Sequence, residues 1–322
     1  MQVFRGFHHR AVAAASAVTI GNFDGVHRGH QAMIALLKSE ARHRGLPASV
    51  LTFEPHPREF FAPQSAPPRV ASLRDKLAEL QACGVDQTVV MRFDQSLASQ
   101  TPQQFVDTVL RAGLGAKYVL VGDDFRFGAR RVGDYAMLDA AGRSAGFDVA
   151  RMNAYEVGGL RVSSSAVRDA LARADFAQVR ELLGRAYMIS GHVGHGLKLG
   201  RELGFPTLNL RFAHRRPALS GIFVVRVHGI AGAPLPAVAS LGLRPTVQEA
   251  GRMLLEVHLL DWQGDAYGKL VSVEFLHKLR DEAKYDGLES LARAIARDCE
   301  DARAYFHAAF QSTRRQTTRD RI

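Results

Sequence analysis

The feature that most limits the fold is a change of rhythm along the chain. Up to about residue 184, short apolar runs alternate with longer amphipathic ones. Residues 17–23, 49–53, 88–93, 118–122 and 147–152 predict strands, and 30–44, 73–83, 102–112 and 134–145 predict helices. Such alternation predicts a parallel sheet covered by helices on both faces. In sheets of this kind ligands bind at loops leaving the carboxyl ends of strands, here after Ile20, Phe53 and Val121. Beyond residue 184 the runs 187–193, 222–228, 237–241, 253–260 and 270–277, with 207–210 as a sixth, follow one another closely. They predict a small antiparallel barrel or sandwich. Leu288, Leu291, Ile295, Cys299, Ala302, Phe306 and Phe310 recur at helical spacing and predict a terminal helix packed on that barrel. The fold class is therefore α/β followed by β. Domains are expected at 1–184 and 185–311, with a basic, flexible tail at 312–322.

Composition excludes several classes. Of 322 residues, 47% are hydrophobic and 23% charged, the balance of a globular chain rather than a disordered or fibrous one. No apolar run approaches the ~20 residues that cross a bilayer, and residues 11–18 read as part of the fold rather than as a secretory signal. The net charge of +10 points to anionic partners. It divides into +4 before residue 185 and +6 after, half of the latter in the tail. Charge so spread suits phosphate-bearing small molecules better than nucleic acid, since no basic stripe with interleaved aromatics is present. Neither a nucleic-acid nor a membrane partner is expected, and homo-oligomerisation is left open. Cys83 and Cys299 lack metal or disulfide spacing and suit a reduced, cytoplasmic protein.

Between the first strand and helix lies Gly21-Asn22-Phe23-Asp24-Gly25-Val26-His27-Arg28-Gly29-His30. Its glycines allow close backbone approach to a ligand, and the following helix aims free N–H groups at it. His27 and His30, one turn apart, suit stabilisation of charge at a nucleotide α-phosphate. Surface histidines on a glycine loop, or a zinc pair lacking a third ligand, are the alternatives. Ser163, Ser164 and Ser165 at a helix start, with Arg168 one turn in, suit the outer phosphates of ATP, or simply cap the helix.

The stretch 191–204 holds five glycines and reads as a phosphate-hugging loop rather than a regular element. Thr207 and Asn209, two apart, would present oxygens on one side of a strand, a workable Mg²⁺ pair. In 253–260, Met253, Leu255, Val257 and Leu259 form one apolar face. Glu256 shares the other with Leu254, His258 and Leu260, as a carboxylate among apolar neighbours or as a solvated strand residue.

The motif G-x-F-D-G-x-H-x-G-H resembles that of the nucleotidyltransferase superfamily. Thr52-Phe53-Glu54-Pro55-His56-Pro57, Val121-Gly122-Asp123-Asp124-Phe125-Arg126-Phe127-Gly128 and Val162–Arg168 resemble its flavin branch. Residues 191–210, Ser240-Leu241-Gly242-Leu243-Arg244-Pro245-Thr246 and Leu255-Glu256-Val257-His258 resemble the riboflavin kinase module. The chain thus resembles the bifunctional prokaryotic riboflavin kinase and FAD synthetase family. That resemblance implies a Rossmann-like adenylyltransferase sheet, a kinase barrel with a terminal helix, and conversion of riboflavin to FMN and FAD with ATP and Mg²⁺. It implies that Gly21, Asn22, Phe23, Asp24, Gly25, the three serines and Arg168 bind ATP beside His27 and His30. Pro55, His56, Pro57 and Asp124 would bind flavin; an acid such as Asp124 beside phosphates would be repulsive unless a metal or Arg126 compensates. In the barrel, Gly191, Gly194, Gly196, Lys198, Gly200, Arg201, Gly204 and Pro206 would bind a second ATP. Thr207 and Asn209 would hold the metal, and Glu256 would be the base. The rivals are a nucleotidyltransferase for another phosphate-bearing substrate and a flavin-responsive binding protein.

Overall fold

The structure is a computed structural model and describes residues 1–196, 199–211, 218–243 and 253–319, without the side chains of 199, 201, 211, 243 and 312–319. Six strands build the first sheet: β1 (Gln2–Arg5), β2 (Ser16–Ile20), β3 (Ala48–Glu54), β4 (Gln87–Arg92), β5 (Ala116–Gly122) and β6 (Asp148–Met152). All neighbours run parallel, in the order β1-β4-β3-β2-β5-β6. β2 is buried at every position, as a strand covered on both faces must be. The helices are α1 (Arg28–His43), α2 (Pro57–Phe61), α3 (Leu73–Ala82), α4 (Gln95–Ala98), α5 (Pro102–Phe105), α6 (Tyr135–Ala145), α7 (Ser164–Ala172) and α8 (Phe176–Leu183). A short hairpin, β7 (Glu156–Val157) and β8 (Leu160–Arg161), precedes α7.

Most expected elements fall within two residues of their predicted limits, although the strand expected over 270–277 runs to 280 and α4, α8 and the β7–β8 hairpin come in addition. β1 was not anticipated: only Phe4 of its four residues is buried, so its pattern is too short to register. The first predicted strand stops at Ile20, because Phe23 takes a left-handed φ of 48°. The helix expected over 102–112 becomes π-helical at Val106–Gly113.

The second half forms a closed barrel of β9 (Met188–Gly194), β10 (Leu208–Arg211), β11 (Gly221–His228), β12 (Leu235–Leu243), β13 (Met253–Leu259) and β14 (Leu270–Arg280), in the order β10-β13-β12-β11-β14-β9. All its pairs are antiparallel. Alternation sends Phe223, Val225, Ala239, Leu255, Val257 and Phe275 inward. A short helix, α9 (Leu199–Glu202), lies between β9 and β10, and α10 (Leu288–Arg319) closes the chain. Cys299 and Ala302 of α10 are buried with Ile222, Val224 and Val238, while Leu288 and Phe310 at the ends of the predicted stripe are exposed. The helix backbone continues past the point where the basic tail was expected to begin, and residues 320–322 lie outside the described residues.

The chain divides into two compact units. The first comprises Met1–Pro67, Leu73–Val167 and Leu182–Gly184; the second comprises Pro68–Ser72, Arg168–Glu181 and Arg185–Ile322. Arg168–Glu181 groups with the barrel because Phe176 meets Phe223 edge-on at 6.2 Å and stacks on Phe275 at 6.4 Å.

Gly115, at the start of the turn into β5, has φ 53°, and an added Cβ would strike the Ala14 carbonyl. Gly115→Ala should therefore cost at least about 2 kcal/mol, read as a lower denaturant midpoint. An unchanged midpoint would refute this close approach.

Candidate active sites

The first site starts from backbone strain. Phe23, Gly25 and Val26 all have positive φ (48°, 86° and 38°), a conformation that a β-branched valine resists. Such residues cost on the order of 1–3 kcal/mol each. Phe23 and Val26 are 1% and 0% exposed and pack with Ile34, Val50 and Leu80. Burying two such side chains contributes roughly 1.5–3 kcal/mol each, enough to offset the strain. The side chain of Phe23, a residue expected to bind the nucleotide, anchors the loop in the core, while its backbone lies in the loop with Gly21, Asn22, Asp24 and Gly25.

His27 is the N-cap of α1: its Nδ1 accepts from the backbone N–H of His30 at 3.3 Å. That bond assigns the ring proton of the neutral form to Nε2, leaving it as a donor. The rings of His27 and His30 stack at 3.7 Å, so the two histidines form one pair. Gly29 makes room for it, since a Cβ there would lie 3.2 Å from the His27 ring. As a whole residue His30 is half-buried, yet its Nδ1 is closed off and has no hydrogen-bond partner among the described residues. Burial, then His27, then Lys76 hold its pKa well below the ordinary 6.5.

The loops after β2, β3 and β5 leave the carboxyl ends of three adjacent strands, as the alternation predicted. After β3, His56 caps α2, accepting from Arg58 N–H at 3.1 Å, with Pro57 in its first turn. Beside it Phe60, Phe61 and Phe93 meet edge-to-face at 5.2–5.6 Å, and Phe61 is 65% exposed. Sequence reading missed this platform because Phe93 lies on a different loop. After β5, Asp124 is exposed, but Arg126 pairs with Asp134 at 3.5 Å rather than with Asp124. Asp123 instead binds Arg161 at 3.0 Å.

At the serine run, Ser163 Oγ accepts from Ala166 N–H at 3.1 Å, so this serine is a helix cap. Ser164 Oγ donates to the Asp24 carbonyl at 2.9 Å and joins α7 to the first loop. Ser165 is exposed. Arg168 belongs to the second unit, where its Nε donates to the Pro68 carbonyl at 2.7 Å.

In the barrel, the ladder sets Asn209 opposite Glu256, and Glu256 opposite Ser240. Three polar side chains therefore cross β10, β13 and β12 in one row, on the face turned away from the barrel interior. Glu256 has apolar neighbours along its own strand but polar ones across it, which corrects the expected setting. Glu282 was also missed. Ser240 Oγ donates to it at 3.5 Å, and burial raises its pKa first of all. Asn209 is 4% exposed, and its Oδ1 has no hydrogen-bond partner among the described residues. Its Nδ2 donates to Thr207 O at 3.3 Å, so the two expected metal ligands do adjoin. Gly196 is required here, because a Cβ would occupy the Asn209 amide.

The glycine-rich stretch is more regular than expected: Gly191 and Gly194 lie in β9 and Gly200 in α9, while Gly204 follows in a turn. Lys198 and the Arg201 side chain fall outside the described residues, as does 244–246. A cavity of about 230 Å³ opens between Pro206, Thr207, Trp262, Asp265 and Tyr267. His258 Nδ1 lies 2.9 Å from the Pro206 carbonyl and fixes that wall. The 262–267 wall was unforeseen, although it carries the chain's single tryptophan. No group of three or more His, Cys, Asp or Glu suited to a metal occurs among the described residues.

A strained histidine loop on a parallel sheet, joined in one chain to a barrel with a polar row beside a cavity, makes a two-module protein with a separate candidate site in each module. A sequence profile for FAD synthetase matches residues 9–166, and one for riboflavin kinase matches 183–306. The bifunctional riboflavin kinase/FMN adenylyltransferase of Pseudomonas fluorescens is 48% identical over 94% of this chain and 97% of its own. That of Escherichia coli K12 is 46% identical over 95% and 98%. A crystal structure described as a macrolide-efflux protein from Streptococcus pneumoniae is similar with a TM-score of 0.74 and 27% identity, covering 94% of this chain and 98% of that one. No described helix is long and apolar enough to cross a membrane. The chain belongs to the bifunctional riboflavin kinase/FMN adenylyltransferase family.

The depressed His30 pKa has a thermodynamic consequence. The unfolded chain binds that proton first, so the stability contribution is complete above 6.5 and is lost as pH falls below it. The melting temperature of His30→Gln should therefore depend less on pH between about 7 and 5 than that of the unmutated protein. Equal slopes would refute the depressed value.

Proposed function

We infer that this chain makes FMN and FAD in two steps. The barrel module transfers the γ-phosphate of ATP to riboflavin, and the sheet module transfers AMP from a second ATP to FMN with release of pyrophosphate. The observation that carries this reading is the presence in one chain of two separately built sites, a histidine pair on the parallel sheet and a polar row on the barrel, each in a half matched by its own family profile.

In the sheet module, an FMN phosphate oxygen attacks the ATP α-phosphorus while the His27 Nε2–H and the His30 ring stabilise the charge that develops. The loop of Gly21, Asn22, Asp24 and Gly25 and the start of α7 hold the nucleotide. His56, its flanking prolines and the Phe60, Phe61 and Phe93 platform receive the isoalloxazine ring. In the barrel, Glu256 takes the proton of the ribityl 5′-hydroxyl, a role worth about 10²–10⁴-fold in rate. Pro206 and Thr207, with Trp262 and Tyr267, wall the nucleotide cavity. The Asn209 Oδ1, without a hydrogen-bond partner among the described residues, and the Thr207 hydroxyl are hard oxygen donors that fit Mg²⁺, which when bound neutralises phosphate charge. Cys83 in the first unit and Cys299 in the second form no disulfide, which agrees with a cytoplasmic setting.

A chromatographic time course with riboflavin and MgATP should show FMN before FAD; absence of FMN would remove the kinase assignment. Glu256→Ala should lower riboflavin phosphorylation by about 10²-fold or more while supplied FMN is still converted to FAD. His30→Ala should do the reverse and let FMN accumulate. Loss of both activities in either folded variant would overturn the division of labour.

A further inference from the structure

One buried charge in the first unit has no part in the chemistry above. Lys76, on α3, is 2% exposed, and lysines are almost never fully buried unless they are paired. Its Nζ donates to Thr52 Oγ1 at 3.4 Å, at the carboxyl end of β3. Thr52, 0% exposed, donates in turn to the carbonyl of Asn22 at 3.2 Å. A continuous path thus runs from α3 through β3 into the loop that carries Asp24 and His27.

We propose that Lys76 is a positioning residue of the adenylyl-transfer centre, fixing the Asn22 end of the loop through Thr52. The inference rests on the adenylyltransferase reading and names a residue outside every motif on which that reading was built. The strained loop needs support at both ends. Phe23 and Val26 pin its middle from below, Ser164 binds the Asp24 carbonyl, and Thr52 with Lys76 holds Asn22. A displacement of about 1 Å at such a loop can cost on the order of 10²-fold in rate.

The same ammonium also acts on the histidine pair. The titratable groups that act on His30 are His27 from its own loop and Lys76 from α3, both of which disfavour its protonation. Asp24 is the buried carboxylate of that loop, at 3% exposure. Lys76 therefore helps keep His30 uncharged, so that the His27–His30 stack carries no repulsion before the nucleotide arrives.

The test compares Lys76→Met, Lys76→Arg, Thr52→Val and Thr52→Ser in the intact chain, measuring FMN adenylylation across about pH 5 to 9. Riboflavin phosphorylation by the same molecules reports general damage. Lys76→Met should lower kcat for adenylylation about 10- to 100-fold, with a smaller change in KM for ATP, and shift the acid limb of the profile to higher pH. Lys76→Arg should keep the limb where it is. Thr52→Val should reproduce the kcat loss without moving the limb, and Thr52→Ser should restore the rate. The proposal is overturned if Lys76→Met matches the unmutated protein or lowers both activities equally. If Lys76→Met does not fold, the threonine pair decides: a slow Val variant beside a normal Ser variant supports the path, and equal rates overturn it. An unmutated protein that makes FMN but no FAD would instead remove the adenylyltransferase reading itself.

Discussion

Phe23 and Val26 hold residues 21–30 in a backbone shape that neither would adopt alone. Their side chains are sealed beneath the loop, and the left-handed backbone above them is the consequence. Everything on the surface of that loop depends on this exchange of burial for strain. It brings His27 to the N-cap of α1, and the cap bond sets the tautomer of the neutral His27 ring. It also lays His30 against His27, where burial favours the neutral ring. The glycines permit this arrangement, but the apolar pair enforces it.

The second unit solves a similar problem differently. Its row of polar side chains rests on a regular ladder rather than a strained loop. Closure of the barrel pairs β10 with β13 and β13 with β12, so Asn209, Glu256 and Ser240 become neighbours although they are far apart in sequence. Interior packing of Leu255, Val257 and Phe275 holds that pairing. One unit thus spends stability at its site, while the other obtains its site from elements that are themselves stable.

Much of this was legible in the sequence, for physical reasons. Strands buried on both faces read as continuous apolar runs, so the central sheet and the loops at its carboxyl ends could be placed. Alternation in 253–260 gave the faces of β13 correctly. What escaped was non-local. Nothing near Glu256 in the chain announces Asn209 and Ser240 beside it, nor Phe93 beside Phe60. Lys76 escaped for the opposite reason: on an amphipathic helix a lysine reads as solvated by default, and only tertiary packing reveals it buried. The π-helical turn at Val106–Gly113 leaves the apolar pattern nearly unaltered, so periodicity does not report it.

The row across the barrel has a further implication. Side chains on a strand alternate strictly, so sliding β13 by one residue against its neighbours would turn Glu256 inward and Leu255 or Val257 outward. Such a slip would bury the Glu256 carboxylate among apolar side chains and expose core residues, so the packing that stabilises the barrel is also what holds the polar row in phase. The interior is constrained accordingly: hydrophobic replacements that fill the same volume but loosen the phase of the ladder would separate Asn209, Glu256 and Ser240 although none of them is replaced.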